Sequence, residues 1–216
     1  MPFTADQFLD VFAQYHAAWP GMRWVLLALA VLSVIASVAR FRRFPDFPIW
    51  SMAFMWFWAG TAYHLGAFSS INKAAYLFGS LFILQSVLLK FFGRSIEFAA
   101  TPDLRGMFGS VLIFYSLVGY PIAGWLLGHE YPRAPSFGLP CPLTIFTFGL
   151  FLWARSPIPR KLVVIPILWS IIGTSATFLF GIWQDLGLIA ALAIFTILST
   201  GDTSKAIRST VNSGKE

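Results

Sequence analysis

The sequence predicts an all-α protein, a polytopic bundle of about seven transmembrane helices preceded by a short amphipathic N-terminal helix. Three observations predict it. First, the 216 residues are 57% hydrophobic and only 11% charged, against roughly 25% charged residues in a soluble domain. Second, the apolar residues fall into separate runs near the roughly 20 residues that a membrane-crossing helix needs. Third, Lys and Arg gather in alternate links between those runs.

The runs lie at about 21–39, 47–68, 73–91, 107–128, 138–154, 161–182 and 185–201. None carries Asp, Glu, Lys or Arg near its centre. The fifth is the weakest, because Pro140 and Pro142 open it. Proline is tolerated there, since the amides of a first helical turn have no intrahelical partner. The sixth and seventh are divided only by a tight turn around Gly181–Gly187, which fits a helical hairpin.

Charge sets the expected orientation. Arg40, Arg42 and Arg43 follow the first run, Lys90, Arg94 and Arg105 the third, and Arg155, Arg160 and Lys161 the fifth. Lys205, Arg208 and Lys215 follow the seventh, so these links and the tail hold all but Arg23, Lys73 and Arg133. The positive-inside rule places that side in the cytoplasm. The C-terminus is then cytoplasmic and the N-terminus outside. The formal charge of +6 is a topological signal on this reading, and no nucleic-acid partner is expected.

Ahead of the first run, Phe3, Phe8, Phe12 and Tyr15 recur at helical spacing, with Thr4 as N-cap. This segment is read as a helix lying on the outer membrane surface. Asp6 and Asp10 stand where a signal peptide would need basic residues, so a cleaved leader is not expected. The division is 1–20 for the outer helix, 21–201 for the bundle and 202–216 for a cytoplasmic tail.

Several stretches carry a family resemblance. They include Met1-Pro2-Phe3-Thr4, Tyr63-His64-Leu65, Phe68-Ser69-Ser70-Ile71-Asn72 and Ala75-Tyr76-Leu77-Phe78-Gly79. Gly128-His129-Glu130-Tyr131-Pro132-Arg133-Ala134-Pro135, Pro140-Cys141-Pro142, Ile165-Pro166 and Asp185-Leu186-Gly187 extend the match. The chain resembles an uncharacterised bacterial multi-pass membrane family, domain of unknown function 6064, with Lys73 where the family pattern has Pro. The resemblance implies a bacterial inner (plasma) membrane and no established activity.

At depth the runs hold only neutral polar groups, among them Gln85, Ser116, Tyr120, Thr147, Ser170, Thr174 and Ser175. Such groups commonly bond helix to helix. The richer chemistry falls at the outer boundary. The candidate binding residues there are Tyr63, His64, Asn72, His129, Glu130, Tyr131, Cys141 and Asp185. His64, His129, Cys141 and Asp185 are a candidate set for zinc or copper, because imidazole and thiolate suit both ions. The competing reading makes them ordinary interface residues, with Asp185 capping the seventh helix. The stiff segment His129–Pro142 is expected to cap the bundle mouth.

Three functions compete. The first is a transporter or channel for a small neutral solute or a metal ion, with an outward-facing site. The second is a non-catalytic sensor or assembly module, and the third an enzyme using the outer His, Cys and Asp. A retinal receptor is excluded, since the seventh run lacks the Lys that a Schiff base needs.

Overall fold

The computed structural model describes residues 3–39, 43–94 and 96–213, with side chains as far as residue 199. Arg40, Arg42 and Lys215, and the side chains of Lys205 and Arg208, lie outside the described residues. The regular structure of the described chain is all helix, joined by irregular links, with isolated β-bridges at Phe98–Ala154 and Phe137–Leu139.

Helix α1 spans Ala5–Ala18 and opens with a capping box. The Thr4 hydroxyl accepts from the Gln7 amide at 3.2 Å, and the Gln7 side chain accepts from the Thr4 amide at 2.9 Å. Phe8, Val11, Phe12, Tyr15 and His16 are buried. The apolar face therefore docks on the bundle. The ridge of rings finds aromatic partners in Tyr63, Phe68 and Phe180 of its own chain.

The bundle begins with α2, Met22–Ala39, and α3, Phe47–Trp58, which starts with Pro in its first turn. Helix α3 continues as a π-helix over Ala59–Ala67. Helix α4, Ala75–Phe92, packs back along α3. Helix α5, Leu104–Phe114, passes through a second π segment, Tyr115–Gly119, into α6, Tyr120–Leu126. Next come α7, Pro140–Leu152, α8, Arg160–Phe180, and α9, Leu186–Ser213. The backbone of α9 runs on as helix through most of the segment read as a tail.

Helices α2, α4, α5–α6 and α8 are long and apolar enough to cross a membrane. Their outward faces carry large apolar side chains, including Val38, Leu77, Phe91, Phe114, Leu126 and Phe178. An exterior of this kind is compatible with lipid contact.

Helix α7 is different. Every residue from Pro142 to Leu152 is buried, and α3, α5, α8 and α9 surround it. A helix apolar on all sides belongs in an interior. At 1.5 Å per residue its 13 residues rise about 20 Å, short of the roughly 30 Å hydrocarbon layer. The expected fifth run is thus an enclosed axial helix.

The neutral polar residues divide into two groups. Gln85 donates from Nε2 to the Leu162 carbonyl at 2.8 Å, tying α4 to α8. Thr147 accepts from Trp56 Nε1 at 3.0 Å, tying α7 to α3. Ser116, Ser170, Thr174 and Ser175 instead donate to carbonyls of their own helices.

The α8–α9 hairpin turns on Gly181, whose φ of +71° suits a residue without a Cβ. The Ile182 amide donates back to the Ala176 carbonyl, closing the helix end. The links 93–103 and 153–159 meet at the opposite end of the bundle, where the Arg155 amide donates to the Glu97 carbonyl at 2.9 Å.

Candidate functional site

The end of the bundle that carries α1 has its own aromatic cluster. A cavity of about 300 Å³ lies within it. Phe8 and Phe12 of α1 form one wall. Tyr63 and Phe68 come from the first π segment and the turn after it. Leu139, Pro140 and Cys141 come from the start of α7, and Trp169, Gly173 and Ala176 from α8. Tyr120 and Asp185 complete the lining. Ile172, Ser175 and Leu179, on the outward face of α8, border the mouth.

Both π segments serve this site. π turns are rare, and they concentrate at functional positions because the wider turn re-aims side chains. The first carries Tyr63 into the wall. The second precedes Tyr120, whose hydroxyl donates to Asp185 Oδ1 at 2.5 Å. Tyr115, inside that segment, donates from its hydroxyl to the Gln184 carbonyl at 2.8 Å. Two phenols on one helix thereby pin the hairpin turn that presents Asp185.

Asp185 is 2% exposed, and among the described residues it has no Lys, Arg or His ion-pair partner. The Cys141 thiol stands beside its carboxylate, and the Tyr63 phenol is within electrostatic reach of both. The Trp169 indole N–H is buried and faces the Cys141 sulfur. The site is thus apolar and aromatic over most of its surface, with a carboxylate, a thiol, two phenols, an indole N–H, the Asn72 amide and the Ser175 hydroxyl as its polar groups. That is the usual make-up of a small-molecule pocket.

Of the residues expected from sequence, Tyr63, Asn72, Cys141 and Asp185 line the cavity. Asn72 also accepts from the Ala74 amide at 3.0 Å, which shapes the turn into α4. His64 does not reach the cavity. It is fully buried behind Trp169, boxed by Tyr63, Phe68, Phe78 and Phe82, with neither ring nitrogen bonded among the described residues. His129 turns away, its Nδ1 3.5 Å from Gln184 Nε2, and burial holds its pKa below the ordinary value. Glu130 is exposed. Tyr131 stacks under the Arg23 guanidinium at 4.1 Å, outside the cavity.

The proposed metal set of His64, His129, Cys141 and Asp185 is therefore not assembled. Among the described residues no group of three or more His, Cys, Asp and Glu side chains is gathered to hold an ion. Only Cys141 and Asp185 come together, and one carboxylate with one thiol falls short of the four ligands of a structural zinc site. Asp185 immediately precedes α9, and its carboxylate faces inward to Tyr120.

Reasoning from sequence passed over Trp169, the aromatic wall of α1 and the latch at His16. His16 Nδ1 lies 2.8 Å from the Pro132 carbonyl and Nε2 2.9 Å from Ser136 Oγ. Arg133 adds ion pairs to Asp6 at 2.9 Å and Asp10 at 2.8 Å. The segment 127–139 and α1 together form the cap, held by these side chains. The i, i+4 spacing of Phe8 and Phe12 was the available signal, but it does not say which surface the rings meet.

No curated protein and no solved structure matches the chain. A model described as a family of unknown function (DUF6064) matches residues 5–208, nearly the whole chain, and the chain belongs to that family.

Proposed function

We propose that this chain is a membrane-embedded binding protein whose outward-facing cavity holds a small, largely apolar ligand. The observation that carries the reading is the one-sided cavity itself. Its mouth lies along the outward face of α8 at the end of the bundle that carries α1, while Phe146, Phe148 and Phe151 fill the axis beyond it with no exposure. Around it we place seven spans in the bacterial inner membrane, with the N-terminus outside and the C-terminus in the cytoplasm. Helix α7 needs no lipid contact in that arrangement, because irregular backbone at its ends is tolerated where protein encloses it. Trp19, Trp24, Trp125 and Trp183 are exposed at the cavity end, as an interfacial aromatic belt requires.

Titration calorimetry on the purified full chain with phenethyl alcohol, a neutral aromatic probe, tests the reading. Saturable binding is expected, and Ser175→Trp at the mouth abolishes it. Wild-type protein that takes up no probe saturably overturns the proposal.

A carrier for a small neutral solute is the second reading. The two π segments favour it, since both flank the cavity in helices long enough to move as gates. Flux of labelled neutral solutes into proteoliposomes above that of empty liposomes is the expected result. Equal rates across the panel remove it.

A further inference from the structure

Resting on the binding reading above, we infer that the cavity selects an organic cation, with an ammonium head against Asp185 and an apolar body among the rings.

An ionised carboxylate accepts through about four lone-pair sites. The Tyr120 hydroxyl occupies one of these on Asp185, and the Cys141 thiol stands at another. The remaining capacity belongs to a wall residue of the cavity, and among the described residues no Lys, Arg or His shares that wall. A buried charge without a counter-charge is costly, so such groups are paired or neutralised. A ligand bearing its own positive charge supplies the missing partner. An anion would meet a carboxylate with no cation to offset it.

The rest of the wall suits the same ligand. Phe8, Phe12, Tyr63, Phe68 and Trp169 present aromatic rings. Ring faces carry partial negative charge and attract ammonium groups within about 6 Å, most strongly where water is excluded. A hard metal ion is a poor alternative, since it calls for six or more oxygen ligands and the wall has one carboxylate.

The amine has two possible sources. The mouth is bordered by the outward ridge of α8, so a membrane lipid with an ammonium headgroup and a free amine from solution share this chemistry.

The test titrates the purified full chain with phenethylamine, phenethyl alcohol and phenylacetate, which share one apolar body and differ in charge. Phenethylamine is expected to bind about tenfold or more tightly than the alcohol, with phenylacetate weakest. Asp185→Asn is expected to bring the amine down to the alcohol's affinity and leave the alcohol unchanged. Equal wild-type affinities for amine and alcohol overturn the cation inference while the binding reading stands. A preference for the amine that survives in Asp185→Asn also overturns it. Binding of none of the three overturns the underlying reading and this one with it. The wild-type comparison stands on its own should Asp185→Asn fail to fold. Repeating it in nanodiscs of phosphatidylglycerol and of phosphatidylethanolamine separates the sources. Competition by phosphatidylethanolamine assigns the site to a lipid headgroup, and equal affinity in both assigns it to a free amine.

Discussion

The Tyr120 hydroxyl donates to Asp185 at 2.5 Å, joining the start of α6 to the turn between α8 and α9. Tyr120 is 1% exposed, so Tyr120→Phe removes one oxygen without opening the packing. Asp185 then loses its charge-competent donor inside an apolar wall. The expected cost is about 1–3 kcal/mol of stability. Thermal unfolding in detergent reads it as a lowered midpoint. An unchanged midpoint means the carboxylate does not depend on this phenol.

A second prediction concerns pH and α1. The Pro132 carbonyl can only accept, so His16 Nδ1 carries the proton and Nε2 of the neutral ring accepts from Ser136. Burial lowers the His16 pKa below 6.5; the bond to Pro132 opposes this and the charge of Arg23 adds to it. Tyr15 and Tyr131 are the other titratable groups against the ring. A histidine lowered on docking adds stability that is complete above its free value of 6.5. That stability is lost as pH falls toward the docked value. Hydrogen exchange of α1 amides, corrected for intrinsic rates, is expected to be constant above 6.5 and to quicken below it. His16→Ala removes the pH step. A step that persists in that variant shows the latch titrates elsewhere.

These two bonds also mark what the sequence made legible. The apolar runs placed α2, α4, α5–α6 and α8, because a continuous apolar stretch of that length has few other stable environments. The cap of Thr4 was legible from local chemistry, since the bond spans three residues. The pairing of Tyr120 with Asp185 spans 65 residues, and that of His16 with Ser136 spans 120. No local pattern encodes such contacts. His64 misled for a related reason: its place near the end of a run gave its depth, while the π turn that buries it behind Trp169 depends on packing with α4 and α8. Asp185 and Cys141 were named for metal binding, and they do meet. Their partners proved to be phenols and rings.

A third prediction tests the cap's hinge. Gly138 sits at φ +95° immediately before Leu139 and Pro140 of the cavity wall. A Cβ there would come within 2.3 Å of Leu26 Cδ1. Gly138→Ala is expected to cost about 1–3 kcal/mol through overpacking, with backbone strain added because φ is positive. Adding Leu26→Ala removes the clash and leaves the backbone strain. Gly138→Ala should therefore cost less on the Leu26→Ala background than in the wild-type chain. Strictly additive unfolding midpoints would show that Leu26 is not what the new methyl meets.

The last prediction addresses orientation. Lys90, Arg94, Arg105, Arg155, Arg160 and Lys161 flank the links that meet at the end away from the cavity. Basic residues in short links are retained on the cytoplasmic side, so the cavity end is expected outside. Cys141 is the only cysteine, and Cys141→Ser gives a background free of thiols. Single cysteines at Ser70 and Glu130, both exposed at the cavity end, are expected to react with an impermeant maleimide on intact cells. Cysteines at Pro102 and Ser156, both exposed at the opposite end, should react only after lysis. The reverse pattern inverts the topology and moves the amine-binding mouth to the cytoplasm. Labelling of one position at each end in intact cells would break the seven-span arrangement itself, because an even number of crossings would then separate links that this fold places on opposite faces.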